Sequence, residues 1–168
     1  MKILFFAVAV LTLCSCQSVR SNDPSSLAFD IPKGSTLTLN KPLPIGSGNT
    51  HVIIQAGEIT TEKNKDLYNI SCSFQMKAFG PRTITPDTFN ISRTEDGREQ
   101  ASGPTIIRYY TEVYLQSDRN QDIIKLECSA WGDRRDGNFE VSHMQKALGD
   151  YFSFSFPEIT NSNNAPKP

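Results

Sequence analysis

The sequence has no excess of either charge. Its 17 Lys and Arg residues are balanced by 18 Asp and Glu residues, and the formal net charge of the 168-residue chain is −1. The basic residues form no cluster, whereas nucleic-acid-binding proteins carry basic patches or stripes. A polybasic segment that would hold anionic lipid is missing as well. Nucleic acid is therefore not among the partners that the sequence predicts.

Motifs of common catalytic and cofactor sites are also missing. The chain has no G-x-S-x-G, H-E-x-x-H, Walker-type glycine loop or EF-hand carboxylate series. Of its two histidines, His51 begins a predicted strand and His143 lies in the first turn of a predicted helix, and we expect surface or capping roles for both. We therefore predict no catalytic residue, no cofactor and no metal site. A catalytic triad, however, is assembled in space and would not show as a motif.

The apolar run at the start of the chain is too short to cross a bilayer, which takes about 20 residues. It extends from Ile3 to Leu13 and follows a single early lysine, Lys2. A short charged start and a short apolar centre are typical of a secretory signal. The run ends in Leu13-Cys14-Ser15-Cys16.

This end of the chain resembles a bacterial lipoprotein signal. In such signals the apolar centre leads into a large aliphatic residue, a variable residue, a small residue and the cysteine that becomes lipidated. Leu13-Cys14-Ser15-Cys16 fits with Cys16 as the acceptor because Ser15 is small, whereas Cys14 as acceptor would put bulky Leu13 at the small position. The alternatives are an ordinary cleaved signal, or a hydrophobic start whose cysteines have no role. The resemblance, which is to small proteobacterial lipoproteins, implies anchoring and location and not an activity.

The same resemblance predicts where the mature protein resides. In this lipoprotein class an aspartate after the lipidated cysteine retains the protein in the inner membrane, and Gln17 occupies that position here. We therefore expect a lipid-anchored protein of the outer membrane that faces the periplasm. Several acyl chains, palmitate among them, on Cys16 would meet the requirement that stable anchoring takes more than one chain.

The remaining chain divides by composition. Residues 1–15 are the predicted signal peptide, and residues 16–27 are the lipidated cysteine and a polar tether. Residues 28–158 carry the apolar periodicity of one folded domain, and residues 159–168 are polar and are expected to form a disordered tail.

Period-2 alternation organises the folded part and predicts a mostly β domain. YNISCSFQMKA (68–78) and DIIKLECSA (122–130) place their apolar residues on one face, and this face includes Cys72 and Cys128. Further strands are predicted at 36–39, 52–56, near 84, and at 89–91, 105–117 and 152–156. Many short strands separated by turn residues indicate a single antiparallel β-sandwich or a barrel-like domain.

One segment, SHMQKALGDY, predicts a short helix at residues 143–148. Ser142 followed three residues later by Gln145 is the capping-box arrangement at a helix start. Gly149 is well placed to end the helix.

The two inward cysteines are expected to form a disulfide, since an exported chain meets an oxidising compartment. A bridge from Cys72 to Cys128 closes a loop of 128 − 72 + 1 = 57 residues, for which the chain-entropy model gives about 4 kcal/mol. A reactive or metal-binding pair is the alternative, but no C-x-x-C spacing supports it.

Arginine and aromatic residues mark a candidate binding surface. Two polar segments, 94–104 and 131–138, are predicted loops, and loops are where binding surfaces are often built. Tyr110 and Tyr114 share a strand face with Arg108, and Trp131 is expected on the outward side of its strand; a second sheet packed on that face would instead bury these residues. The predicted surface comprises Arg98, Arg108, Tyr110, Tyr114, Trp131, Arg134 and Arg135.

These features together predict a non-enzymatic, membrane-anchored envelope protein. Its β domain would bind an envelope protein or a cell-wall component. One alternative is an inhibitor of a periplasmic hydrolase. Another is a hydrolase whose site is not visible in the sequence, which would need a concave pocket with His51 or His143 beside a carboxylate.

Overall fold

The structure is a computed structural model that describes residues 21–157. The predicted signal peptide, the lipidation site Cys16 and the tail from residue 159 lie outside the described residues. No helix within 21–157 is long and apolar enough to cross a membrane.

The described chain is mostly strand. In chain order the elements are β1 (Thr36–Leu39), β2 (Leu43–Ile45), β3 (His51–Gln55), β4 (Glu58–Thr60), β5 (Ser71–Met76), β6 (Arg82–Ile84), β7 (Asp87–Ser102), β8 (Ile106–Gln116), β9 (Ile123–Asp133), α1 (Val141–Leu148) and β10 (Phe152–Ser155). A single 3-10 turn, Gly149–Tyr151, joins α1 to β10.

Eight of the strands form one antiparallel sheet in the order β10-β1-β7-β8-β9-β5-β3-β4, and β2 pairs with β6 separately. Helix α1 contacts β3 and β5 towards one edge of the sheet and β10 at the other edge. The sheet therefore curls around the helix as a half-barrel. The prediction of a mostly β, barrel-like antiparallel domain with one short helix is confirmed.

The core fills the inside of this curl. Alternate residues of the strands point inward, and the largest fully buried side chains include Phe74, Phe89, Leu126 and, from α1, Leu148. The β2–β6 pair adds Leu43, Ile45 and Ile84 to the same cluster. Burial of apolar area at about 25 cal/mol per Å² makes this cluster the main source of stability.

The predicted disulfide is present. Cys72 of β5 and Cys128 of β9 are directly opposite each other in the strand register, with their Cα atoms 3.9 Å apart. Both residues are fully buried in the core. The pair is therefore a structural bridge between neighbouring strands.

The predicted capping box at the start of the helix is wrong. Glu140 is the N-cap residue, no side chain caps the helix, and Ser142 lies inside the first turn. The Ser142 N–H donates to the carbonyl oxygen of Pro24 at 3.1 Å, and its hydroxyl donates to the Glu140 carboxylate at 2.9 Å. The Pro24 carbonyl thus satisfies the Ser142 N–H, the donor that the predicted capping box would have paired with the Gln145 side chain. The predicted end is confirmed, because Gly149 terminates α1 with φ +55°.

The prediction of a loop at residues 94–104 is also wrong, because β7 continues to Ser102. Its outer half pairs residue by residue with β8, from Thr94 opposite Val113 to Gln100 opposite Ile107. This half of β7 is polar and largely exposed, so it carries no alternation of its own. Pairing with the strongly alternating β8 determines its conformation. The segment 131–138 is half strand, since β9 ends at Asp133.

Candidate binding face

The outer face of the sheet, opposite the core, is a continuous polar surface. Cross-strand register places on it Arg93, Glu95, Gly97 and Glu99 of β7, Arg108, Tyr110, Glu112 and Tyr114 of β8, Lys125, Glu127, Ser129 and Trp131 of β9, and Ser71, Ser73 and Gln75 of β5. Helix α1 and the β2–β6 pair lie against the core face. Neither of them covers the outer face, so among the described residues no second sheet buries it as a sandwich would.

The structure brings together four of the seven predicted surface residues. Arg108, Tyr110, Tyr114 and Trp131 share the outer face on β8 and β9. Arg98 does not join them: it pairs with the inward-facing Tyr109 and is exposed on the other side of β7. Arg134 and Arg135 are exposed in the turn that follows β9. The predicted surface is therefore split, because strand alternation separates Arg98 from the rest.

Glu127 is the centre of an ionic network on the outer face. Its carboxylate accepts hydrogen bonds from Arg108, from Lys125 at 2.9 Å and from Gln75 at 3.4 Å. Arg108 also donates to Glu99 at 2.8 Å, and Lys125 donates to Glu112. Four strands of the sheet, β5, β7, β8 and β9, are thus linked by side chains that are half-buried, apart from the exposed Glu99.

The network fixes the charge of its members. Burial alone raises the pKa of Glu127, but hydrogen bonds and charge from Lys125 and Arg108 outweigh it, and the pKa lies below its usual value. Burial alone lowers the pKa of Arg108 and of Lys125. Hydrogen bonds and charge from their carboxylate partners outweigh burial, so both pKa values lie above their usual values. A carboxyl with a lowered pKa is ionised at neutral pH and is a poor general acid.

Aromatic rings lie beside these charges. Tyr110 lies over Gly97 of the neighbouring strand, so close that a Cβ on Gly97 would collide with its ring. The Arg108 guanidinium is 5.0 Å from the Tyr110 ring centre. The Trp131 ring meets the Tyr68 ring edge-to-face at 6.0 Å. Such contacts hold the rings in defined positions on the surface.

Tyr114 is held in a similar way. Its ring lies 3.7 Å from the Arg93 guanidinium, and its hydroxyl donates to the Glu112 carboxylate at 2.6 Å. The hydrogen bond to Glu112, together with burial, raises the pKa of Tyr114. One face of the Tyr114 ring is therefore occupied by Arg93.

A groove of about 340 Å³ runs along the outer face beside the network. Its floor contains the small side chains of Ser71, Ser73 and Ser129, and Arg108 and Glu127 line one side. The opposite side is formed by β3 and by the segment after β4, with His51, Ile53, Glu62 and Lys65. We call this the serine groove. None of its three floor hydroxyls has a hydrogen-bond partner within residues 21–157.

The two histidines lie apart. His51 lines the serine groove, and its Nε2 is 4.0 Å from the Glu62 carboxylate. Glu62 is also paired with Lys65 at 2.7 Å. His143 lies on α1 beside Glu140, at 3.8 Å, next to a broad depression that also includes Tyr68 and Lys146. Within the described part of the chain no three His, Cys, Asp or Glu side chains converge as a metal site requires.

Sequence reasoning missed the floor of the groove. The only signal for it is a run of small residues at every second position, Ser71 and Ser73 on one strand and Ser129 on another. Their significance depends on β5 and β9 being neighbours in register, with Ser71 opposite Ser129. The cysteine pairing, once assumed, brings β5 and β9 together, but the two sides of the groove come from β3 and β8, which the pairing does not place.

Comparison with protein-family models, with curated proteins and with solved structures finds no match.

Proposed function

We propose that this chain is a lipid-anchored protein of the bacterial outer membrane, facing the periplasm, whose β domain binds an envelope protein or a cell-wall component without catalysis. The lipobox ending at Cys16, followed by Gln17, supports the anchoring. The uncovered outer face supports the binding.

The observation that carries the binding proposal is the grouping of Arg108, Tyr110 and Trp131 on one face that no other helix or strand among residues 21–157 packs against. Tyr, Trp and Arg dominate the binding energy of protein interfaces. Here the ionic network and the ring contacts already hold these side chains. Little side-chain freedom would be lost on binding, and a preorganised surface gains affinity in this way.

Anchoring is tested by two single substitutions. Cys16→Ser should abolish labelling with radioactive palmitate and release the protein from the outer-membrane fraction. Cys14→Ser is the matched control and should leave both labelling and location unchanged, because Cys14 is removed with the signal. Persistent labelling of the Cys16→Ser chain would contradict the proposal.

Binding is tested by capture from detergent-solubilised envelope, with the immobilised mature chain from Gln17 to Pro168. Mass spectrometry and sugar analysis would identify the retained proteins and wall fragments. A specific partner should be lost when Arg108 and Trp131 are replaced by Ala and kept when Arg134 and Arg135 are replaced by Ala. Retention of nothing beyond a blank resin would contradict the proposal. A captured hydrolase that loses activity on mixing would point to the inhibitor function instead.

A second candidate function is hydrolysis, which the position of His51 beside Glu62 in a groove favours. Two observations weigh against it. Within residues 21–157 none of the groove serines is hydrogen-bonded to His51, so no nucleophile and base are joined. Glycoside hydrolysis needs a carboxyl with a raised pKa, and the pKa of Glu127 is lowered. Substrate cleavage that His51→Gln abolishes would establish the hydrolase.

A further inference from the structure

We infer that the serine groove is a binding site for a neutral oligosaccharide. The inference rests on the proposed function, since it names the ligand class for the outer face. It is carried by three properties of the groove: paired charges, unpartnered hydroxyls and a tryptophan in line with the floor.

The charges in the groove exclude a charged ligand. Arg108 is paired with Glu127, and Lys65 is paired with Glu62 at 2.7 Å. These are two cations and two anions, and each already has its partner. An anionic ligand would find no free cation, and to recruit one it would have to break an existing pair. A ligand without charge leaves both pairs intact.

The floor favours a ligand rich in hydroxyl groups. Each serine hydroxyl offers one donor and two acceptor positions, and those of Ser71, Ser73 and Ser129 have no partner among residues 21–157. Ser71 is also 94% shielded from solvent, with an exposed fraction of 6%. Hydroxyls that open into the groove without a partner among the described residues can pair with a ligand that both donates and accepts. Sugar hydroxyls do both, whereas an apolar ligand would leave the serines unpaired.

The shape favours a chain of sugars over a single ring. The serines on β5 and β9 are small, whereas β8 beside them carries the bulky Arg108 and Tyr110. The floor is therefore a trough between β8 on one side and β3 on the other. Trp131 lies two residues beyond Ser129 on the same face of β9, a distance of about 7 Å along a strand. A ligand that fills the groove and continues along β9 would place its next ring against Trp131. An indole ring stacks well on the apolar face of a sugar.

The protein contains a single tryptophan, so fluorescence excited selectively at tryptophan reports on Trp131 alone. We would titrate the mature chain with chitotetraose, cellotetraose and maltotetraose, and with the anionic tetragalacturonate. At least one neutral tetrasaccharide should give a saturable fluorescence change. Its affinity should change less than twofold between 50 mM and 500 mM NaCl, because no charge pairs with it. Saturable binding of tetragalacturonate alone, or no saturable binding by any of the four, would overturn the inference.

Variants locate the site. Ser129→Val fills the floor and removes a hydroxyl, so affinity should fall at least tenfold. Ser153→Val, at an exposed position of β10, is the matched control and should bind like the wild type. Far-ultraviolet circular dichroism would confirm that both variants are folded. If Ser129→Val leaves the affinity unchanged, the sugar binds elsewhere and the assignment of the groove is wrong.

The two proposals fail differently. If envelope capture yields a partner that depends on Arg108 and Trp131 while no tetrasaccharide binds, only the sugar inference falls. If capture yields nothing and no tetrasaccharide binds, the binding function itself falls.

Discussion

Arg108 reaches diagonally across the sheet to Glu127. Arg108 is directly opposite Trp131 in the register. Glu127 precedes Trp131 by two outward-facing positions on β9, and Ser129 lies between Glu127 and Trp131. The small side chain of Ser129 leaves the path of the guanidinium free. The Arg108–Glu127 ion pair and the groove floor therefore both depend on Ser129. A small residue is needed at this position for the ion pair as well as for the groove.

Replacing Glu127 with Gln should destabilise the domain in a pH-dependent way. The variant keeps the shape of the side chain but leaves Arg108 and Lys125 without their shared carboxylate, and hydrogen bonds to charged groups are worth about 1.5–3 kcal/mol. Since the folded-state pKa of Glu127 lies below its usual value of 4.5, its contribution is fully present above about pH 4.5. It is lost as the pH falls through the folded pKa. Urea unfolding of both proteins from pH 7 to pH 3 measures the difference.

Glu95→Gln is the matched control for this prediction. Glu95 also accepts from an arginine, Arg93 at 2.5 Å, but the two side chains are 48% and 56% exposed. Exposed pairs contribute about 0–1 kcal/mol. We expect little change at any pH, and a loss as large as that of Glu127→Gln would show that burial does not decide the strength of these pairs.

Asp87→Asn should destabilise the domain by about 1–3 kcal/mol, the cost of leaving buried polar groups unsatisfied. The Asp87 carboxylate is almost fully buried, accepts from Ser117 at 2.6 Å and from Asn120 at 2.7 Å, and pairs with Arg119 at 2.7 Å. These contacts fasten the β8–β9 turn to β7. An amide would present a donor to groups that are donors themselves.

The stability that Asp87→Asn loses relative to the wild type should depend on pH in the same direction as the loss in Glu127→Gln. Burial alone raises the pKa of Asp87, but the hydrogen bonds and Arg119 outweigh it and lower the pKa from 3.8. The stabilisation is therefore present above about pH 3.8 and disappears as the pH falls further. Asp118→Asn, at an exposed position of the same turn, is the control and should unfold like the wild type throughout.

The Cys72–Cys128 disulfide should contribute up to about 4 kcal/mol, the chain-entropy value for a 57-residue loop. The oxidised, denatured mature protein should show no free thiol, and dithiothreitol should lower its midpoint of urea unfolding. A Cys72→Ala, Cys128→Ala double variant should have a low midpoint that the reductant does not change. Two free thiols in the untreated protein would contradict the bridge.

The sequence predicted those parts of the fold that rest on local alternation. The inward faces of β5 and β9 and the bridge between them follow from two apolar patterns, each with one cysteine. The outer half of β7 was missed because its residues are polar on both faces and only pairing with β8 makes them a strand. The short strands β2 and β4 have three residues each and carry no readable period.

The candidate site was predicted only in part, for a related reason. Arg108, Tyr110 and Tyr114 could be grouped because they lie on one strand. Arg98 was grouped with them wrongly, since a position in β7 becomes inward or outward only through its register with β8. The serine groove depends on four strands at once, and no local pattern contains that information.

Gly149 and Gly103 offer a test of how α1 is fastened to the sheet. Both have φ +55°, a value that costs an alanine about 1–3 kcal/mol, and Gly149 has ψ −137°. A Cβ on Gly149 would lie 2.5 Å from the Gly57 Cα, whereas a Cβ on Gly103 would have no neighbour within 4 Å. The turn at Gly57 is also bound to the helix, because its N–H donates to the Ala147 carbonyl at 2.9 Å.

Gly103→Ala should therefore show the conformational cost alone. Gly149→Ala should lose about 1–3 kcal/mol more, since overpacking adds a cost of that size, and the helix end can move away from β3 and β4 only by opening the core around Leu148. Chemical denaturation of the two variants beside the wild type measures both losses. Equal losses would mean that the contact between the helix end and the Gly57 turn adjusts freely, and that the helix is held in the half-barrel by its apolar face alone.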